Sequence, residues 1–214
     1  MEKCKRDGSE LSLGPAFKTM MAYGPNSACM HYFPEDDNNA VLKFGPGREL
    51  IQGPLLIDSG FHYRDGTTDI SRTLWLGKNP SYFLKEVYTR SLQGLIDVCM
   101  LRKKSMSGAY LDQVAKEPLS EIDLSYTCAT GHGIGHCLNV HEMSVRVDHH
   151  AQNYLTDGMV IAIEPGYYKE GEFGVRIEDD LIVRKATDGM LWLENMTFAP
   201  YCRDLIDASL LTDQ

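Results

Sequence analysis

The chain has 214 residues and a formal net charge of −9, with 43% hydrophobic and 24% charged residues, the make-up of a globular protein with one substantial core or two small ones. That acidic balance excludes a general nucleic-acid binder, because no excess of Lys and Arg is present to neutralise phosphates. The sequence has no collagen-like period, solenoid repeat or low-complexity tract, and no apolar run of membrane-spanning length.

The opening, MEKCKRDGSELSLG, contains no apolar stretch of the kind a secretory leader needs. Residues 17–34 read as two strands around the Gly-Pro-Asn turn at 24–26, and the polar, Gly/Pro-rich stretch 35–53 reads as a surface loop. Residues 54–77 read as a hairpin whose Asp-Gly pair marks the turn. Residues 80–104 predict a helix, with Phe83, Val87, Leu92, Leu95, Ile96 and Cys99 at three- and four-residue steps. Pro80 suits its first turn and the closing Arg-Lys-Lys its last. A second helix is expected over 107–117, ended or kinked by Pro118. GMVIAIEPGYY, GVRIEDDLIVRK and GMLWLENMTFAP complete the pattern as strands. Antiparallel runs with helices inserted between them predict an α+β class without a dividing linker. The six cysteines, at 4, 29, 99, 128, 137 and 202, form no CxxC pair. They suit free thiols in a reducing compartment, so the cytoplasm is the expected location.

YTCATGHGIGHCLNVHE, residues 126–142, holds His132, His136 and His141. The H-x-x-x-H spacing of the first two matches zinc helices, but Gly131, Gly133 and Gly135 argue against a helix. They suggest a chain passing close to another group, with backbone angles that other residues resist.

Carboxylates point to the chemistry. LLID is an apolar run that ends in Asp58, MVIAIE is another that ends in Glu164, and Asp69 and Glu178 lie in comparable settings. A buried carboxylate needs a cationic partner or a metal. Four such groups together with His132 make a donor set suited to Mn²⁺, Co²⁺, Fe²⁺ or Zn²⁺. Two divalent ions would balance the four charges, and a pair of that kind is a hydrolytic arrangement.

The ordered set DSGFHYRDGTTDISRT, GHGIGHCLNVHE, EPGYY and GVRIEDDLIV resembles the catalytic domain of aminopeptidase P (Xaa-Pro aminopeptidase) over about residues 17–211. That resemblance implies the pita-bread fold shared with methionine aminopeptidases, prolidase and creatinase, and a single metallopeptidase catalytic domain over 1–214. It implies two divalent ions, manganese first, with cobalt, zinc and iron as alternatives. By the resemblance, Asp58 would hold one ion, His132 and Glu164 would hold the other, and Asp69 and Glu178 would bridge them. Glu164 would also be the general base. His141 would contact substrate and help move protons, His31 would stand at the substrate mouth, and Arg176 would support the metal carboxylates. His136 matches no functional histidine and reads as a packing or surface residue. His149 and His150 read as a solvated pair. The implied substrates are peptides with proline at the second position, with no nucleic-acid or membrane partner.

The sequence departs from the family pattern in places. The family's H-G-T-G-H-G run carries a histidine four residues before the metal histidine. Here Cys128 stands in that place and Ala129 replaces a glycine. The family histidine lies near the substrate, so Cys128 is a substrate-side position. Loss of one positioned donor costs about 3 kcal/mol of transition-state stabilisation. The Gly-Pro that follows VHE in the family is missing. The sequence also lacks the family's first two helices and its C-terminal tail, so a homodimer or a covering partner is expected. Three functional readings stand: an Xaa-Pro aminopeptidase, a prolidase-like dipeptidase, and a catalytically weakened domain that binds metals or proteins.

Overall fold

The computed structural model describes residues 3, 7–33, 52–137 and 139–211. Of the loop expected over 35–53, residues 35–51 lie outside the described residues, as does Cys4.

The hairpin read from the sequence is the longest feature. β3 (Gly53–Tyr63) and β4 (Gly66–Leu76) pair antiparallel over their whole length. Arg64 and Asp65 alone make the turn, one residue ahead of the Asp-Gly pair that marked it, and neither has a positive φ. The other edge of β3 is shared by two short strands. β2 (Met20–Tyr23) pairs with residues 55–58, and β1 (Ser12–Pro15) pairs with residues 61–63. The second strand expected within 17–34 does not form. Gly24–Ala28 is a 3-10 turn, and residues 29–33 are irregular. There the Tyr32 N–H donates to Met20 Sδ at 3.0 Å rather than to a strand ladder. The turn is also tied away from β2, because the Gly174 N–H donates to Ser27 Oγ at 2.7 Å.

The second sheet has six antiparallel strands. Their spatial order is β5 (Arg102–Lys103), β12 (Leu191–Asn195), β11 (Asp179–Lys185), β8 (Val160–Ile163), β6 (Gly131–Gly133) and β7 (Glu142–Val147). β9 (Gly166–Lys169) and β10 (Phe173–Arg176) form a separate hairpin. Two segments that read as single strands are therefore each two strands, broken at Glu164-Pro165 and at Ile177-Glu178. Pro165 has no N–H to continue a ladder. The Glu178 N–H donates out of its sheet, to Ser71 O on β4 at 3.1 Å.

Helices α1 (Tyr82–Cys99) and α2 (Gly108–Ser120) start at Ser81 and Ser107, whose side chains accept from Leu84 N and Tyr110 N. Helix α1 ends at Cys99, its last periodic residue, and not at residue 104. Arg102 and Lys103 do not form a basic last turn but pair with β12. Pro80 precedes the cap. Pro118 lies inside α2, which runs on to Ser120. In the last turn a proline forfeits only one helix bond, and the Pro118 carbonyl is taken by Arg90 Nη1 at 2.7 Å. Among the described residues no helix is long and apolar enough to cross a membrane.

Val87, Leu95 and Val98 of α1 and Leu111 and Leu119 of α2 share one buried cluster with Ile161, Ile163, Val175, Leu181 and Val183 of the strands. The helices pack tightly at Gly94, where an added Cβ would lie 2.1 Å from Ala115 O. Helix propensity alone predicts that Gly94→Ala gains about 1 kcal/mol. Backbone cannot yield cheaply in a packed core, so a net loss of about 1–2 kcal/mol is expected instead. Urea unfolding checks the sign, and an unchanged or higher midpoint would contradict this packing.

Candidate metal centre

In the β3–β4 register Asp58 lies opposite Ser71, and Asp69 lies opposite Gly60. The two aspartates are thus diagonal neighbours on one face of the hairpin. A Cβ at Gly60 would lie 2.4 Å from Phe17 Cε1 and 2.5 Å from Thr68 O, so only glycine fits opposite Asp69.

His132 sits in β6, between β8 and β7. A Cβ at Gly131 would meet Ala162 O at 2.0 Å. Gly131 therefore serves close approach to β8, and Gly133, where a Cβ would lie 2.8 Å from Val145 Cβ, serves close approach to β7, as the sequence suggested. Unusual backbone angles are not the reason, since neither Gly131 nor Gly133 has a positive φ. The tight approach aligns His132 with the end of β8, where the Glu164 N–H donates to Thr130 O at 2.7 Å.

His132 Nε2 lies 3.4 Å from Asp69 Oδ2 and 3.8 Å from Glu164 Oε1. Its Nδ1 lies 2.9 Å from Gly133 O. That carbonyl fixes the tautomer with the proton on Nδ1 and leaves Nε2 free as a donor atom, a common arrangement for a metal-binding histidine. Three groups of donors form, each with its atoms within 4.8 Å of one another: Asp58, Asp69 and Glu178; His132, Glu164 and Glu178; and Asp69, His132 and His141. Glu178 belongs to both of the first two and so can be shared. All five residues expected as ligands thus converge. His141 is close enough to join them, with its ring centroid 4.2 Å from that of His132.

Arg176, only 1% exposed, braces this group from behind. Its Nη2 donates to Asp58 Oδ2 at 2.8 Å, its Nε to Ser71 Oγ at 2.9 Å and its Nη1 to Tyr168 Oη at 3.1 Å. Ser71 Oγ donates in turn to Glu178 Oε2 at 2.8 Å. Sequence reasoning found Arg176 but missed Ser71 and Tyr168, although both stand inside the motifs it used. It also missed the buried pair beneath, Arg72 Nη2 to Asp179 Oδ1 at 2.7 Å, which joins β4 to β11.

One arginine does not balance four acids. Burial raises Glu164 to about 7 against the pull of His132 and Arg176. Burial and the neighbouring carboxylates hold Glu178 well above its ordinary range. Burial raises Asp58 despite Arg176. Burial alone would lower His132, but hydrogen bonding to Asp69 and the charge of Glu164 bring it to about 9. Such a group draws in positive charge, as protons or as metal cations. Asp58 Oδ1 and Asp69 Oδ1 are buried without a hydrogen-bond partner, so each has an acceptor to spare. Oxygen and imidazole donors with unspent lone pairs fit hard or borderline divalent ions.

The group lines a cavity of about 480 Å³ with His31 and His141 at its side and Phe17, Met30, Phe33 and Val145 as apolar wall. Cys128 also lines this cavity. Its thiol is pushed up to about 11 by burial and by Glu164, and it joins none of the three donor groups among the described residues. His136 is exposed and hydrogen-bonds Arg64 O at 3.1 Å. His149 and His150 are exposed, with ring centroids 3.7 Å apart and planes tilted by 41°.

The chain matches metallopeptidase family M24 over residues 1–185. Xaa-Pro aminopeptidase 2 of Homo sapiens is 42% identical over 215 residues, covering 98% of this chain and 30% of that protein. An X-prolyl aminopeptidase from Caenorhabditis elegans, described as a cytosolic enzyme with a di-nuclear active site, superposes with a TM-score of 0.85 at 30% identity, covering 97% of this chain and 34% of that one. Prolidase from Pyrococcus furiosus superposes with a TM-score of 0.73 at 28% identity, covering 88% of this chain and 51% of that one. The chain spans about a third of the length of the curated relatives it matches. Its fold is the α+β pita-bread fold that the sequence leads one to expect.

Proposed function

We propose a function for a chain that belongs to metallopeptidase family M24: a metal-dependent aminopeptidase that releases the residue preceding a penultimate proline. The observation that carries this is the convergence of Asp58, Asp69, His132, Glu164 and Glu178, with two carboxylate oxygens left unpartnered. These five residues would hold two divalent ions, with manganese as the proposed metal. Bound there, the ions would supply Lewis acidity toward the scissile carbonyl and neutralise developing negative charge.

The remaining steps belong to the chain's own groups. Glu164 takes a proton from the attacking water, a role that suits a carboxylate facing the cavity. His31 and His141 orient the peptide, and His141 passes a proton toward the leaving amine. Arg176 holds Asp58 in place through its 2.8 Å contact. The apolar wall of the cavity excludes water around the proline ring. Peptides with proline second are the proposed substrates, and the cytoplasm is the proposed compartment.

Metal analysis of the purified chain, coupled to hydrolysis assays with added Mn²⁺, tests the proposal. Two ions per chain and cleavage of Xaa-Pro-Xaa peptides are expected. Cleavage of Xaa-Pro dipeptides alone would favour the prolidase-like reading. Cys128 in the cavity favours a second reading, a domain that keeps its metals with little catalysis. Metal binding without hydrolysis of either peptide class would support it.

A further inference from the structure

Helix α2 carries a buried ion pair that the proposed chemistry does not use. Asp112 and Lys116 stand one turn apart on one face of the helix, with Lys116 Nζ 2.8 Å from Asp112 Oδ1. Asp112 is 3% exposed. Every second residue of the run into β6 is tied to this pair. Thr130 Oγ1 donates to Asp112 Oδ1 at 2.5 Å. That uses the hydroxyl's single proton, so Tyr126 Oη, 2.7 Å away, is the donor to Thr130 Oγ1. Lys116 Nζ donates to Cys128 O at 3.4 Å and lies 4.7 Å from the centre of the Tyr126 ring.

Thr130 is also a joint of the backbone. Its N–H donates to Val147 O of β7 at 2.8 Å, and its carbonyl accepts from the Glu164 N–H at 2.7 Å. His132 follows two residues later. A side-chain contact from α2 thus fixes the residue to which His132 and Glu164, two of the five proposed ligands, are both tied. A buried ion pair adds little net stability, because desolvation offsets most of the attraction, and apolar residues can often replace it without loss. Stability alone therefore does not account for this pair, whereas what it holds in place does.

We propose that the Asp112–Lys116 pair is a positioning device that holds Thr130, and through it Glu164 and His132, in the geometry of the metal centre. This rests on the metal-centre reading above, but its first test needs neither metal nor activity. Thr130→Val removes the hydroxyl at nearly constant shape and charge, and Thr130→Ser keeps it. Hydrogen exchange of the metal-free chain is followed by NMR. In Thr130→Val the Glu164 amide is expected to exchange about tenfold faster, as loss of a hydrogen bond to a charged group implies. The amides of Val87 and Leu95, in the core of α1, should keep the protection they have in the unaltered chain, and Thr130→Ser should restore slow exchange at Glu164. Unchanged exchange at Glu164 would overturn the proposal, as would an equal acceleration in α1, which would mark a merely structural role. If Thr130→Val does not fold, Asp112→Asn carries the same comparison.

The second test is calorimetry with Mn²⁺. Thr130→Val and Asp112→Asn should bind it about 10- to 100-fold more weakly, the usual cost of removing a group that orients a metal ligand, with Thr130→Ser close to the unaltered chain. Unaltered affinity in both variants would overturn the proposal. If the unaltered chain binds no Mn²⁺, the metal-centre reading fails, and the exchange test alone decides whether the pair positions Glu164.

Discussion

Replacing Asp69 with alanine is expected to abolish binding of a metal pair while leaving the metal-free chain as stable as before, or more stable. Asp69 belongs to two of the three donor groups and keeps a buried, unpartnered Oδ1. Without cations it stands among Asp58, Glu164 and Glu178, with His132 Nε2 at 3.4 Å as the one cationic neighbour among the described residues. Removing one of four crowded carboxylates relieves that repulsion. The backbone contact to Asp180 is unaffected, since Asp69 contributes its N–H there and not its side chain. In chelator, a relief of about 1 kcal/mol would raise the thermal midpoint by about 2–4 °C for a chain of this size. Metal titration calorimetry should show the opposite effect, a loss of the two-ion stoichiometry. Peptidase turnover should fall by about three orders of magnitude, because the ions supply several kcal/mol of transition-state stabilisation. A variant that still binds two ions would remove Asp69 from the centre. A variant that unfolds in chelator would make it a structural residue.

Cys128→His is expected to raise turnover of Xaa-Pro peptides by about tenfold to a thousandfold, the range for one positioned donor or proton-transfer group. Cys128 faces the cavity that holds Glu164 and His132, so an imidazole there reaches the reacting region. The thiol, raised to about 11 by burial and by Glu164, stays protonated near neutrality and is a weak hydrogen-bond donor. Metal content should hardly change, because Cys128 belongs to none of the donor groups among the described residues. A second outcome is distinguishable. If Cys128 acts as a redox switch, mild oxidation silences the unaltered chain and reductant restores it, while the histidine variant is indifferent. No gain in the variant, together with no activity of the unaltered chain with any metal, would leave the metal- or protein-binding reading.

The hairpin and the five converging side chains were legible in the sequence for a specific reason. Asp58 and Glu164 each close a run of apolar residues, where a carboxylate is out of place unless something answers its charge. The strand breaks were only half legible: the run closing at Glu164 was read, but not that EPGYY begins a separate strand or that Ile177-Glu178 is a break. VIAIEPGYY and VRIEDDLIV are apolar on both sides of their interruptions, and hydropathy cannot reveal that the Glu178 N–H leaves its sheet for Ser71 O. Helix α1 was overextended because Arg102 and Lys103 suit a helix end as well as an edge strand, and only pairing with β12 decides between them. Ser71 and Tyr168 went unread because a hydroxyl carries no hydropathy signature. Their importance lies in the guanidinium of Arg176, which reaches both.

The brace between Arg176 and Asp58 joins residues 118 positions apart, and this has a consequence for biosynthesis. At about 5–20 residues per second, the hairpin that carries Asp58 and Asp69 waits on the order of 6–24 s for the arginine that steadies it. During that interval Ser71 O on β4 lacks the Glu178 N–H it accepts from in the finished fold, and an uncovered strand edge is the kind of surface on which nascent chains stick to one another. Glu178 follows Arg176 by two residues, so the last carboxylate and its counter-charge leave the ribosome almost together. On the proposed function, a cation that reaches the hairpin early would meet only two of the five donors and be held weakly; His132 and Glu164 follow, and the set is complete only once Glu178 has emerged.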